Sequence, residues 1–301
     1  MLPGLALNSI TIDDVSSLYK KEIDVSILRL DKISPIISGN KWFKLRYYLE
    51  ETRDQNKKGM LTFGGAWSNH IIATAAICKM NGLKAIGIIR GEEPKELSFT
   101  LEKAKELGMQ LVFISRAAYQ NKDIPASLQR DEYFLLNEGG YGEIGAKGAS
   151  TILAHCNKTY THYCCAVGTG TTMAGIINAV LTRQQVTGIS VMKNNASLEK
   201  MIQTLVIYKG KKESGGQPGW QLIHDYHFGG YAKHRPALFD FMNEFYRLTG
   251  IPSDFVYTGK LLYAISDLIG KNYFPPGSKL LLIHSGGLQG NQSLADGTLI
   301  F

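Results

Sequence analysis

Short runs of β-branched and other apolar residues alternate with amphipathic segments along most of this chain, and glycines mark many of the changeovers. That alternation restricts the fold more than any other feature. A strand followed by a helix and a second strand returns to the same sheet as a parallel neighbour, so the pattern predicts an α/β protein with largely parallel twisted sheets flanked by helices. Strands are expected at 25–30, 60–63, 85–89, 111–114, 160–167, 188–192, 221–224 and 279–284. Ser68 is positioned to cap a helix that runs through Met80 and is stopped by Gly82. Pro94 precedes a helix reaching Leu107, which Gly108 ends, and Pro236 opens another that lasts until Gly250. In that last helix Leu238, Phe241, Met242, Phe245 and Leu248 recur at helical spacing, which reads as a core-facing stripe.

The chain has 301 residues, about twice the length expected of one domain, and no repeat of 20–50 residues. Four strand–helix units between 46 and 159 are flanked on both sides by further units. This predicts a small domain, 46–159, inserted into a large one made of 1–45 plus 160–301. The stretch 209–219, KGKKESGGQPG, reads as an exposed loop.

The longest apolar run, 71–78, carries a threonine and falls far short of the ~18 residues a bilayer span requires. The opening MLPGLALNSI lacks both a basic segment and a long apolar one, so no secretory signal and no membrane partner is expected, and a cytoplasmic location is. The net charge of +7 does not imply nucleic acid. Its densest stretches, Lys57-Lys58 and Lys209 with Lys211-Lys212, are too short for a nucleic-acid face. The four cysteines, 78, 156, 164 and 165, form no CxxC pair and read as reduced core residues; no metal site is expected.

Chemistry is expected where strands give way to glycine-rich turns, because ligands of open α/β sheets bind at the carboxyl ends of strands. In SGNKWFKLR, 38–46, Lys41 sits at the start of a helix, where the dipole and restricted solvent favour a depressed pKa. In FGGAWSNH, 63–70, Ser68, Asn69 and His70 present a hydroxyl and an amide at a helix N-terminus, which suits an anion. After the strand at 160–167 comes Gly168-Thr169-Gly170-Thr171-Thr172, with a helix expected at 173–181. Backbone N–H groups and three hydroxyls there form a phosphate cradle. The cradle lacks the Gly-Lys-Ser/Thr of a Walker A loop. It also lacks the spacing and downstream acid of a dinucleotide fingerprint, which leaves a phosphorylated cofactor or substrate. VYTGK, 256–260, and IHSGG, 283–287, add hydroxyls that can carry protons or meet a ring nitrogen.

In this order, the Gly-Asn-Lys segment, GG-x-x-SNH, the Gly/Thr loop, VYTGK and H-S-G-G resemble the pyridoxal-phosphate enzymes of the tryptophan-synthase-β fold type (fold type II). More narrowly they resemble the 1-aminocyclopropane-1-carboxylate deaminase / D-cysteine desulfhydrase family, from Ser38 to Gly287. The resemblance implies a two-domain tryptophan synthase β-like fold, pyridoxal 5'-phosphate as cofactor, a small amino acid as substrate, and a homodimer. It makes Lys41 the residue that condenses with the cofactor aldehyde, and Gly168, Thr169, Gly170, Thr171 and Thr172 the phosphate site. Asn69 would bond the ring hydroxyl, and Ser285 would lie beside the pyridine nitrogen. Ser68, with Asn69 and His70, would face the substrate carboxylate or shuttle a proton. Tyr231, in HFGGYAK, and Tyr257 match the two active-site tyrosines; either could take a proton from the substrate amine or Cα, or hold a leaving group.

Two departures bear on the substrate. Thr258 follows the second tyrosine where the deaminases carry a glutamate, which points to β-elimination of the D-cysteine desulfhydrase kind. The segment after SNH reads Ile-Ile-Ala-Thr, without the arginine of many relatives. The deaminase reaction, giving 2-oxobutyrate, is the runner-up. A non-catalytic cofactor-binding protein is the alternative from another class.

Overall fold

The computed structural model describes residues 5–19, 21–37, 39–128, 130–207 and 218–301; Ser38 and most of the loop expected at 209–219 lie outside the described residues. Ten strands occur among them: β1 (Ile12–Asp14), β2 (Asp24–Arg29), β3 (Gly59–Gly64), β4 (Lys84–Arg90), β5 (Met109–Ile114), β6 (Tyr133–Leu136), β7 (His162–Val167), β8 (Gln185–Ser190), β9 (Gly219–Ile223) and β10 (Lys279–His284). They form a six-stranded sheet of order β1-β2-β10-β7-β8-β9 and a four-stranded sheet of order β5-β4-β3-β6. Every pairing is parallel except the edge pair of β1 with β2. The helices are α1 (Asn40–Asp54), α2 (Asn69–Met80), α3 (Phe99–Glu106), α4 (Arg116–Asn121), α5 (Glu143–Ser150), α6 (Thr171–Ala179), α7 (Leu198–Leu205), α8 (Pro236–Thr249) and α9 (Thr258–Gly270).

The large sheet is buried on both faces, which explains why its central strands read as continuous apolar runs. Successive side chains of β10 alternate between two cores: Leu280 and Leu282 join one, Leu281 and Ile283 the other. Cys164 and Cys165 on β7 likewise enter opposite cores, and burial pushes both thiols up. All four cysteines are free thiols.

The eight expected strands are all present, that at 188–192 shifted toward the N-terminus. Two were not anticipated. β1 has three residues, and β6 has four that follow a polar stretch, so neither offers enough alternation to register. The helix expected after Pro94 starts at Phe99, where Ser98 Oγ accepts the Leu101 N–H at 3.3 Å. The helix expected at 173–181 starts two residues earlier, so Thr171 and Thr172 are its first turn rather than loop. VYTGK is not a loop either: Thr258 opens α9.

Candidate active site

A cleft of about 740 Å³ lies at the carboxyl ends of strands from both sheets. It is within the range that holds a cofactor-sized ligand. Each strand end contributes its following turn: β2 leads to Lys41, β3 to Ser68, Asn69 and His70, β7 to Gly168, Thr169, Gly170 and Thr172, and β10 to Ser285. Tyr257 comes from the residue before α9, and Tyr231 from the loop before α8. Thr171 is the exception among the nominated residues. It is fully buried behind the loop, with its hydroxyl 3.2 Å from that of Thr169, so it supports the cradle without lining the cleft.

Lys41 is the second residue of α1, and its position depends on Gly39. At φ 61°, Gly39 lets the chain approach the β10 turn so closely that a Cβ there would lie 1.7 Å from the Ser285 carbonyl oxygen. The Asn40 N–H donates to that carbonyl at 3.3 Å, which ties Lys41 to the turn carrying Ser285. Lys41 Nζ donates to Asn40 Oδ1 at 2.9 Å, and Asn40 Nδ2 to Thr172 Oγ1 at 2.8 Å, a chain from the lysine to the cradle. Burial pushes the Lys41 amine down to about 8, against the pull of the Asp254 carboxylate. About a tenth of the amine is therefore free at pH 7, far more than for an ordinary lysine.

Ser68 caps α2, its Oγ accepting the N–H groups of His70 at 3.3 Å and Ile71 at 3.4 Å. Its own O–H is left to donate into the cleft. His70 is buried, and the Thr62 hydroxyl already donates to Leu136 O at 2.8 Å, so His70 Nε2–H must donate to Thr62 at 2.9 Å. Burial, and the charges of Lys44 and Lys41, hold the imidazole well below its usual pKa. Its Nδ1 is then a neutral acceptor, and among the described residues it is buried without a partner, as is Asn69 Oδ1.

Lys44 was not singled out from the sequence. Three residues after Lys41 on α1, it reaches the same cleft, donating to Gly139 O at 2.5 Å, and Gly139 packs against Thr169 of the cradle. Burial and the neighbouring Lys41 push its amine well below the usual range, a cost that an anion in the cradle would reverse. The i, i+3 spacing of two lysines on a helix beginning in a glycine turn was the available signal.

The opposite wall is built around Asp254. Its carboxylate accepts the N–H groups of Val256 at 3.1 Å, Tyr257 at 2.8 Å and Thr258 at 2.9 Å, together with the Thr258 hydroxyl. This fixes Tyr257, whose ring centroid lies 5.8 Å from Lys41 Nζ and 6.0 Å from the ring of Tyr231. Burial and the neighbouring Tyr231 raise the Tyr257 phenol well above its usual pKa. Lys260, fully buried, donates to His227 O at 2.9 Å and Gly230 O at 2.8 Å and so holds the loop that presents Tyr231.

The donor set fits pyridoxal phosphate. The first-turn N–H groups of α6 have no carbonyl within their own helix to bond and face a cradle with Lys44 beside it. The unpartnered oxygen of Asn69 and nitrogen of His70 await polar atoms. Lys41 supplies the amine.

Comparison with known proteins agrees. A putative 1-aminocyclopropane-1-carboxylate deaminase of Pyrococcus horikoshii is 27% identical over 291 residues, covering 91% of this chain and 87% of that one. The D-cysteine desulfhydrase of Salmonella typhi is 23% identical, covering 86% of each. The crystal structure of an ACC deaminase homologue superposes with a TM-score of 0.79 at 26% identity, covering 96% of this chain and 93% of that one. Residues 15–286 match the family described as "Pyridoxal-phosphate dependent enzyme", and the chain belongs to that family.

Proposed function

We propose that this enzyme eliminates the β-substituent of a small α-amino acid in the manner of a D-cysteine desulfhydrase, giving sulfide, ammonia and pyruvate from D-cysteine. The observation that carries this reading is Thr258. A hydroxyl stands where the deaminases place a glutamate, and it is spent on Asp254, whose carboxylate is saturated by backbone and hydroxyl donors. Ser285, which follows β10 and lines the cleft, would then offer the pyridine nitrogen a hydroxyl rather than an acid. Pyridoxal phosphate, when bound, supplies the electron sink that acidifies Cα, and a largely neutral ring suits β-elimination.

The chain's own groups divide the remaining work. Lys41 would be the amine for the cofactor aldehyde, and Lys44 with the backbone of Gly168–Thr172 would hold the phosphate. Asn69 would meet the ring hydroxyl. Ser68 O–H and the α2 N-terminus orient the substrate carboxylate. Tyr257 stays protonated through ordinary pH and enters as a donor, its neighbour Tyr231 completing the pair.

The reading is tested by the absorbance spectrum of the purified protein before and after D-cysteine, with assays for pyruvate and sulfide. A yellow band that borohydride fixes onto Lys41, lost together with turnover in Lys41→Ala, is expected. A colourless protein, or undiminished turnover in that variant, overturns it. The names of the relatives also favour a second reading, deamination of 1-aminocyclopropane-1-carboxylate, since the Pyrococcus and Thermotoga relatives carry that name. Formation of 2-oxobutyrate decides for it.

The same proposal includes a cytoplasmic location, in keeping with four free thiols, and a homodimer, measurable by light scattering. No helix among the described residues is long and apolar enough to cross a membrane. It also takes the two sheets as the cores of two domains, with 46–159 inserted between 1–45 and 160–301; limited proteolysis near those boundaries tests this.

A further inference from the structure

The small sheet carries two arginines into the cleft that the chemistry above does not use. Its strand order sets β3, β4 and β5 side by side, about 5 Å apart, so their carboxyl ends form a row: the Ser68 turn, then Arg90, then Arg116. Arg90 pairs in register with Ile114 on one side. On the other, its Nη2 lies 3.6 Å from where a Cβ on Gly65 would be, directly beside the turn that carries Ser68. Among the described residues neither guanidinium has a carboxylate or hydrogen-bond partner; Arg90 rests only over the Tyr119 ring, 5.9 Å from its centroid. The acid lining that side of the cleft, Glu138, is engaged by Lys122 at 2.6 Å.

An α-carboxylate is already provided for by Ser68 and the N-terminus of α2, so these guanidiniums form a second anion site one strand spacing away. We propose that Arg90, backed by Arg116, binds an anionic group on the substrate side chain, making the preferred substrate a small α-amino acid with a carboxylate, phosphate or similar anion at or just beyond Cβ. The inference rests on the reading of the cleft as an amino-acid β-lyase site and moves its preferred substrate from D-cysteine, whose thiol is mostly uncharged at neutral pH, to a side chain that bears an anion. With O-phosphoserine the step balances without a redox partner. The Cα proton is removed, the Cβ–O bond breaks with its electron pair leaving on phosphate, and the released enamine takes up water to give pyruvate and ammonium.

The test uses the cofactor-loaded enzyme and two readouts. Dissociation constants for aspartate and alanine, each as both enantiomers, are measured by calorimetry. Turnover is compared for O-phosphoserine and the neutral β-chloroalanine. Aspartate should bind at least about tenfold more tightly than alanine, and Arg90→Gln should reduce both the binding ratio and the kcat/KM ratio by about ten- to a hundredfold, the worth of a charge-assisted pair. Equal binding of aspartate and alanine to the unaltered enzyme overturns the proposal without recourse to any variant. Ratios that Arg90→Gln leaves in place do so too, because the discrimination would then lie elsewhere than at Arg90. Should no amino acid be turned over, the lyase reading fails, while the binding ratio still decides this one.

Discussion

Gly39→Ala probes the contact on which the site depends. The new Cβ would stand 1.7 Å from Ser285 O, 2.1 Å from Ser285 C and 2.6 Å from Gly286 N, all backbone atoms with no rotamer to move aside. Ordinary non-bonded contact needs about 3.5 Å, so the α1 start and the β10 turn must separate by well over an ångström. Two costs add. Holding a Cβ at φ 61° costs about 1–2 kcal/mol, and the forced displacement of packed backbone about 1–3 kcal/mol more. Gly82→Ala isolates the first cost, because Gly82 has nearly the same φ, 66°, and nothing within 4 Å of a Cβ. The expected outcome in urea unfolding is a loss of about 1–2 kcal/mol for Gly82→Ala and about 2–5 kcal/mol for Gly39→Ala. In activity the two should differ more sharply. Displacing Lys41 from Ser285 by an ångström costs roughly a hundredfold in kcat/KM, whereas Gly82→Ala, at the far end of α2, keeps its rate. If both variants lose the same stability and both retain turnover, the close approach of the two turns is not what positions Lys41.

Two further outcomes follow from buried lysines. Lys41 and Lys260 are both pushed down to about 8 in the folded protein, whereas the unfolded chain keeps those protons to about 10.5, so between these values the unfolded state binds more protons. Stability of the cofactor-free protein should therefore rise with pH from about 8 toward 10, and cofactor capture should quicken with pH and level off above about 8; a flat capture rate across pH 7–9 would count against the depressed amine. Lys260→Met removes the ammonium that holds the His227 and Gly230 carbonyls, so the loop presenting Tyr231 should be cut faster by protease and kcat should drop about tenfold while the cofactor band persists; unchanged cleavage would show that the loop is held by something else.

What could be read in the sequence was local. Ser68 announces its helix because an N-cap acts on N–H groups two and three residues ahead. Most of the eight strands stood out because burial on both faces writes continuous apolar runs. The inward turn of the Thr171 side chain was not legible because a Gly-Thr-Gly-Thr-Thr loop does not say which hydroxyl points outward; the first turn of α6 begins at Thr171 and turns that side chain under the loop. VYTGK was taken for a turn because the carboxylate that organises it, Asp254, stands four residues before the first residue of α9 rather than directly beside it, even though it accepts N–H groups two, three and four residues ahead.

The groups missed altogether were those whose role depends on which strands lie side by side. Lys44 looks like one more contributor to a net charge of +7, and nothing near it in sequence mentions the cradle some 125 residues further on. Only when α1 lies against the turn after β6 does that lysine reach the Gly139 carbonyl, which packs beside Thr169, and burial then makes its charge costly unless an anion arrives. Arg90 is the same case on the other sheet. By sequence it is only a cation at the end of an ordinary strand; the fold leaves it exposed and sets it one strand spacing from the Ser68 turn, with no carboxylate committed to it among the described residues, which is the placement the substrate-anion proposal uses. The positive charge was thus uninformative as a sum and informative as a placement, since two of its members sit where parallel strands end around one cleft.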